Sequence, residues 1–390
     1  MQPTRWRDRN AWLLSNGAID VVTLTGGGHI ADVRFRPESG FPTENVLWEA
    51  PWKSIDPGQF RSRDAAKYGT PFVGRFLSGF TGHALCLDYF GPPSPEEIAQ
   101  GLALHGEAPV SAWAITAKSS ALNSAVKLPH AGLTFNRQME IAPDESVLYF
   151  RETVENGRTV DHYFSWVQHA TFGPPLMSPG ESHFFVSGTR AKTWALGYEG
   201  HAFLRDNREF VWPHAPALKS RTADLSKPFA KDNKGFVATV RVNERAKYGS
   251  VAVLNWRLGL AAGYIFRSAD FPWVTLWEED FARSGPPWNG ITRARGVEFG
   301  TTPLPVGTAE TIKNGPLFDT PTLARVGAKS KISTSYAMFV TPVPRDWRAV
   351  RDVQLANGKI ILAGAARNQK RIISAGRLQS ILEAQDRGEI

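Results

Sequence analysis

A chain of 390 residues with 42% hydrophobic and 21% charged residues has the balance of a globular protein with a large core. No apolar run reaches the roughly 20 residues that span a bilayer, and the opening MQPTRWRDRNAWLL has arginines but no apolar segment or small-residue cleavage site, so neither a membrane partner nor a leader is expected. The net charge of +8 is thinly spread: residues 345–390 hold nine Lys/Arg against five Asp/Glu (+4), the other 344 residues carry the remaining +4, and this argues against a nucleic-acid partner.

In chain order, IDVVTLT (19–25) and GGGHIADVRFRP (26–37) read as two strands around a glycine turn. GRFLSGF (74–80) sets Arg75 between glycines, either to hold vicinal hydroxyls or a carboxylate with its planar donors, or simply as a surface arginine. Cys86, in HALCLDYF, is the only cysteine; it allows no intrachain disulfide, fits a reducing, cytoplasmic compartment, and reads as a buried structural thiol. SPEEIAQGLAL (94–104) predicts a short helix beginning at Ser94 or Pro95. LALHGEAPVSAW (102–113) places His105, Gly106 and Glu107 in a tight turn ahead of a strand.

GLTFNRQMEIA (132–142) alternates, with Leu133, Phe135, Arg137, Met139 and Ile141 on one face. A buried Arg137 costs several kcal/mol unless paired, so it meets a buried carboxylate or floors a polar cleft. FSWVQHATFGPP (164–175) is a strand carrying His169 that breaks at Gly173-Pro174-Pro175. That histidine is either a core residue with a partner or a proton donor. FVATVRV, SVAVLNWRL, AAGYIF, WVTLWEED and SYAMFVTP are further strands.

Residues 277–305 are the densest stretch. Trp277 and Trp288 are candidates to meet a sugar, since an indole face suits a ring of C–H groups. Glu279 stands beside Glu278 and Asp280, an acidic run with no assigned metal. Glu298, between Val297 and Phe299, is desolvated and so more basic, as a general base requires, unless it pairs with Arg137 or Arg295. From about Ala365 to Gly388, Leu378, Ile381 and Leu382 fall at helical spacing. The fold class is therefore all-β, two large stacked antiparallel sheets in one domain (1–364), followed by a short helical tail (365–390).

Taken together, GGGHIADVRF, VGRF with Arg75, LHGE with His105, FNRQMEI with Arg137, VENGRTVDHYFSWVQHATFG with His169, and RGVEFGTTPLPVG with Glu298 resemble, in order from Ile19 to Val340, the aldose 1-epimerase (galactose mutarotase-like) family. The resemblance implies a β-supersandwich and a cofactor-free isomerase acting on a small-molecule sugar. It implies that His169 protonates the ring oxygen, that Glu298 takes the anomeric hydroxyl proton, and that His105 and Arg75 hold hydroxyls. Glu107, Arg137, Trp277, Glu279 and Trp288 join these as candidate binding residues. Leu102-Ala103-Leu104 replaces the family's asparagine before the His-Gly turn, and Glu107 replaces a second glycine. Two other readings stay open: a carbohydrate-binding protein without turnover on the same scaffold, and a glycoside-cleaving enzyme using Glu298 with Glu279 or Glu107.

Overall fold

The computed structural model describes residues 1–37, 43–118, 120–198, 200–229 and 233–386. Two antiparallel sheets dominate it. The larger, of 12 strands, opens with a meander of Gln2–Trp6, Arg9–Ser15, Ile19–Leu24 and Ile30–Phe35. It continues through His83–Asp88, His162–Phe172, Arg293–Gly300, Trp273–Asp280 and Lys234–Val242 to Gly188–Trp194 and Glu209–Val211. The smaller, of eight strands, has Leu260–Arg267, Lys331–Pro342, Val147–Asn156 and Leu133–Ile141 at its centre.

The core lies between the sheets. Alternation sends Phe164, Trp166, Ala170 and Phe172 of one central strand inward. Val297 and Phe299 of its neighbour follow the same rule. Phe299 stacks on Phe266 of the opposite sheet, with ring centroids 4.6 Å apart. Leu133, Phe135, Arg137 and Met139 are all buried, as their alternation predicts.

Arg137 resolves its two possibilities in this core. Its Nε donates to Glu152 Oε1 at 2.7 Å and its Nη2 to Gln168 Oε1 at 3.2 Å. Tyr336 and Trp166 also donate to Glu152. The arginine therefore belongs to a satisfied polar network between the sheets and does not floor a cleft.

The outer face of the larger sheet is covered by a layer containing Trp48, Phe76, Leu77, Phe80 and Val110. Phe76 and Leu77 come from the helix Pro71–Leu77, which begins with a proline at its first turn. The helix Pro95–Ala99 is capped as the sequence predicts: Ser94 Oγ accepts from Glu97 N, and the Glu97 carboxylate accepts from Ser94 N. It ends sooner than the predicted span, before Gly101 with φ of +87°.

The outer face of the smaller sheet is covered by the C-terminal region. Val350–Ala356, Lys359–Gly364 and Lys370–Ser374 form a three-stranded sheet, and the helix Leu378–Asp386 follows. Leu378 and Leu382 pack with Val147, Ile265, Ile360 and Ile373. The expected start of the tail helix near Ala365 is thus corrected: residues 370–374 pair as a strand with 359–363. Gly388 lies outside the described residues. Among the described residues, no helix is long and apolar enough to cross a membrane.

Candidate functional site

His169, Glu298 and Trp277 come from three adjacent strands. Their parity is opposite to that of the core residues, so all three point to the outer face of the larger sheet. Register sets the first pair directly opposite one another: His169 faces Glu298 across the ladder. Such cross-strand neighbours have Cβ atoms within about 5.5 Å. Here Nε2 of His169 lies 3.3 Å from Oε1 of Glu298. The contact is close but off hydrogen-bond alignment, and Oε1 has no hydrogen-bond partner. On the other side of the imidazole, Nδ1 is 3.1 Å from the Thr171 hydroxyl, two residues along the same strand.

Gly296 makes room for this arrangement. It precedes Glu298 by one pleat on the same face, and a Cβ there would overlap Glu298 Oε1. The glycine before Val-Glu-Phe is therefore a spatial requirement of the carboxylate.

The pair opens onto a cavity of about 390 Å³. His105, Arg283, Trp277 and Trp288 line it, along with Phe76 and Phe80. Phe80 meets the His169 ring edge-on at 5.0 Å, and the His105 ring lies 5.4 Å from that of His169. His105 takes φ of +64°, followed by Gly106 at +89°. A Cβ on Gly106 would run into the Leu87 carbonyl, so the tight turn inferred from the sequence is obligatory.

Burial dominates the electrostatics. It lowers His169 to about 3 and holds His105 well below its ordinary value. It pushes the Glu298 carboxyl well above the usual carboxylate range. Burial thus favours the protonated carboxyl of Glu298 and the neutral imidazole of His169. With both groups in those forms the pair holds one proton and one free basic nitrogen, and that total describes a coupled pair better than either site alone.

The other candidates from the sequence lie elsewhere. Arg75 sits on the helix Pro71–Leu77 with its guanidinium turned to the Gly101 carbonyl at 3.2 Å, away from the cavity wall. Glu107 accepts from the backbone of His130 and Ala131 and braces a loop. Arg137 is committed to the core. Glu279 accepts from Ala282 N, Arg283 N, Arg283 Nη1 and the Tyr198 hydroxyl. It therefore orders Arg283 and does not reach the cavity itself.

The flanking carboxylates are also matched: Glu278 pairs with Arg295, and Asp280 with Arg293. Asp206 accepts from Ala195 N at 2.6 Å. Among the described residues Glu298 is the one carboxylate lining the cavity, so the carboxylate pair needed for glycoside cleavage is not assembled by Glu279 or Glu107.

Arg283, Thr171 and Gly296 escaped sequence reasoning. Arg283 is one arginine among many, and only the turn that brings it back over Tyr198, at 4.4 Å, carries it to the cavity. Thr171 and Gly296 had a signal: each is two residues from a candidate on the same strand face.

Solved structures of similar shape include a provisionally assigned aldose 1-epimerase from Klebsiella pneumoniae. It has a TM-score of 0.59 and 14% identity, with 85% of this chain and 79% of that chain covered. A galactose mutarotase-like protein from Clostridium acetobutylicum matches with a TM-score of 0.54 at 13% identity, covering 88% and 98% of the two chains. One from Lactobacillus casei matches at 0.52 and 12%, covering 85% and 100%. No protein-family model matches the chain, and no curated protein matches it in sequence. The chain thus has the galactose mutarotase-like fold, at a sequence distance that leaves its chemistry to be argued from its own residues.

Proposed function

We propose that this protein is a mutarotase-like isomerase that interconverts the α and β anomers of a sugar at the His169–Glu298 pair. The observation that carries the reading is that pair: an imidazole and a carboxyl 3.3 Å apart, with no other ion-pair partner among the described residues, in a largely apolar cavity. Ring opening of a hemiacetal needs one proton delivered to the ring oxygen and one removed from the anomeric hydroxyl. As these moves occur, the C1–O5 bond breaks and C1=O1 forms. Rotation about C1–C2 and the reverse transfers close the ring on the other face. A pair holding one proton between two sites can perform both transfers and return to its starting state.

The resemblance assigns the donation to His169, whereas burial favours holding the proton on Glu298. The reaction requires only the total. A pure binding site has no need of a proton-sharing pair, which is the argument against a non-catalytic role.

The test is proton NMR saturation exchange between anomers, with and without protein. His169→Ala and Glu298→Gln are each expected to lower the accelerated exchange by about 10²–10⁴-fold, with the fold retained. Undiminished exchange in both variants would overturn the assignment.

A further inference from the structure

The polar equipment of the cavity is small for a sugar site. Six side chains of its wall carry hydrogen-bonding groups: His105, His169, Trp277, Arg283, Trp288 and Glu298, and the indole N–H of Trp277 is already engaged by Tyr198. The other side chains are aliphatic or aromatic without a polar atom, including Phe76, Phe80, Leu104 and Val306. If His169 and Glu298 serve the ring and anomeric oxygens, three side chains, His105, Arg283 and Trp288, remain for the four hydroxyls at C2, C3, C4 and C6 of a hexose. A hydroxyl buried against the wall without a partner lowers affinity roughly 5- to 150-fold.

Charge points the same way. Arg283 is the one arginine or lysine lining the cavity among the described residues. It is already matched, its Nη1 donating at 3.0 Å to Glu279, which is fully buried. Arg75 turns to Gly101. A phosphate or carboxylate on the ligand would meet one compensated cation and a wall of rings.

Leu196, Gly197, Arg283 and Trp288 also line a second cavity, of about 930 Å³. Trp194, Tyr198, Phe203 and Phe236 contribute to its wall, beside the polar His201 and Ser284. An apolar substituent on a sugar ring therefore has an aromatic surface beside it to cover.

We infer that the ligand of this site is a neutral sugar of reduced hydroxyl count, a deoxy aldose or an aldose whose outer hydroxyls carry alkyl or acyl groups, with a free anomeric centre toward His169 and Glu298. The inference rests on the sugar reading above for the ring and on the composition of the wall for the substituents.

Tryptophan fluorescence and saturation-transfer NMR on the full chain measure affinity for glucose, 2-deoxyglucose, 6-deoxyglucose, 6-O-benzylglucose and glucose 6-phosphate. Saturation exchange on the same samples measures anomer interconversion. The deoxy and O-benzyl sugars are expected to bind about tenfold or more tightly than glucose, with glucose 6-phosphate weakest. Glucose or its phosphate binding as tightly as the deoxy sugars, or no sugar of the panel binding, would overturn the inference. Binding in the expected order without exchange would keep this ligand class and remove the mutarotase reading. Exchange that is fastest for glucose or its phosphate would keep the mutarotase reading and remove this inference.

Discussion

Acidification is expected to weaken this fold well before ordinary carboxylates titrate, because five histidines are buried in neutral form. His29, His83, His105, His169 and His183 are each at most 8% exposed. Burial lowers His29 and His169 to about 3 and His183 to about 4, and holds His83 and His105 well below the ordinary value. In the unfolded chain each titrates near 6.5. Between that value and the folded one, the unfolded state binds more protons, so stability is whole above about pH 6.5 and is lost as pH falls.

At 1.36 kcal/mol per pH unit, each such histidine forfeits about 2 kcal/mol by pH 5. His29, His169 and His183 together then forfeit about 6 kcal/mol, against a typical domain stability of about 5–15 kcal/mol. Burial raises Glu298, Glu278 and Asp32, which act in the opposite sense and offset part of this loss. Urea unfolding followed by tryptophan fluorescence at pH 7, 6 and 5 should show a midpoint falling at each step with an unchanged slope. His183→Gln should flatten that dependence by about 2 kcal/mol. A midpoint as high at pH 5 as at pH 7 would refute the reasoning.

The activity profile carries the same signature: exchange per folded molecule should not decline between pH 7 and 5.5, since His169 titrates at about 3. A fall centred on the ordinary histidine value would mean a solvated imidazole. Gly296→Ala should fold normally, because the three atoms nearest the added Cβ all belong to the Glu298 side chain and none to the backbone, yet cut exchange by about 10²-fold through misplacement of the carboxylate; full activity would show that Gly296 is not needed there. Thr171→Val removes the Nδ1 partner of His169 and should slow exchange roughly 5–10-fold, about one hydrogen bond, with Thr171→Ser restoring it; equal rates in the two variants would dismiss the hydroxyl. Glu152→Gln leaves the buried Arg137 without its counter-charge and should cost about 3–5 kcal/mol in urea unfolding; a loss below the error of the melt would show the network to be dispensable.

Much of the fold was legible because strand pattern is local. WVTLWEED coincides with the observed strand Trp273–Asp280, and the inward face of Leu133–Ile141 follows from alternation alone. The tail misled for the same reason: Leu378 and Leu382 do sit on a helix, but KRIIS completes a three-stranded sheet whose partners lie upstream. Pairing partners are not written in the segment that is paired.

The site divides along that line. His169 and Glu298 stood out by themselves, one as a histidine on a strand ending in Gly-Pro-Pro, the other as a carboxylate inside an apolar run. The sequence by itself thus determined an all-β chain, the faces of its strands, and two groups able to handle a proton. Which groups meet was decided only in three dimensions. Sheet register set His169 opposite Glu298 and Arg137 opposite Glu152, and inter-sheet packing brought Gln168 to Arg137. Loop closure turned Arg75 to Gly101 and brought Arg283 to the cavity. The physical reason is that a side chain's type and local environment depend on its neighbours in sequence, whereas its partner depends on chain segments tens to hundreds of residues away.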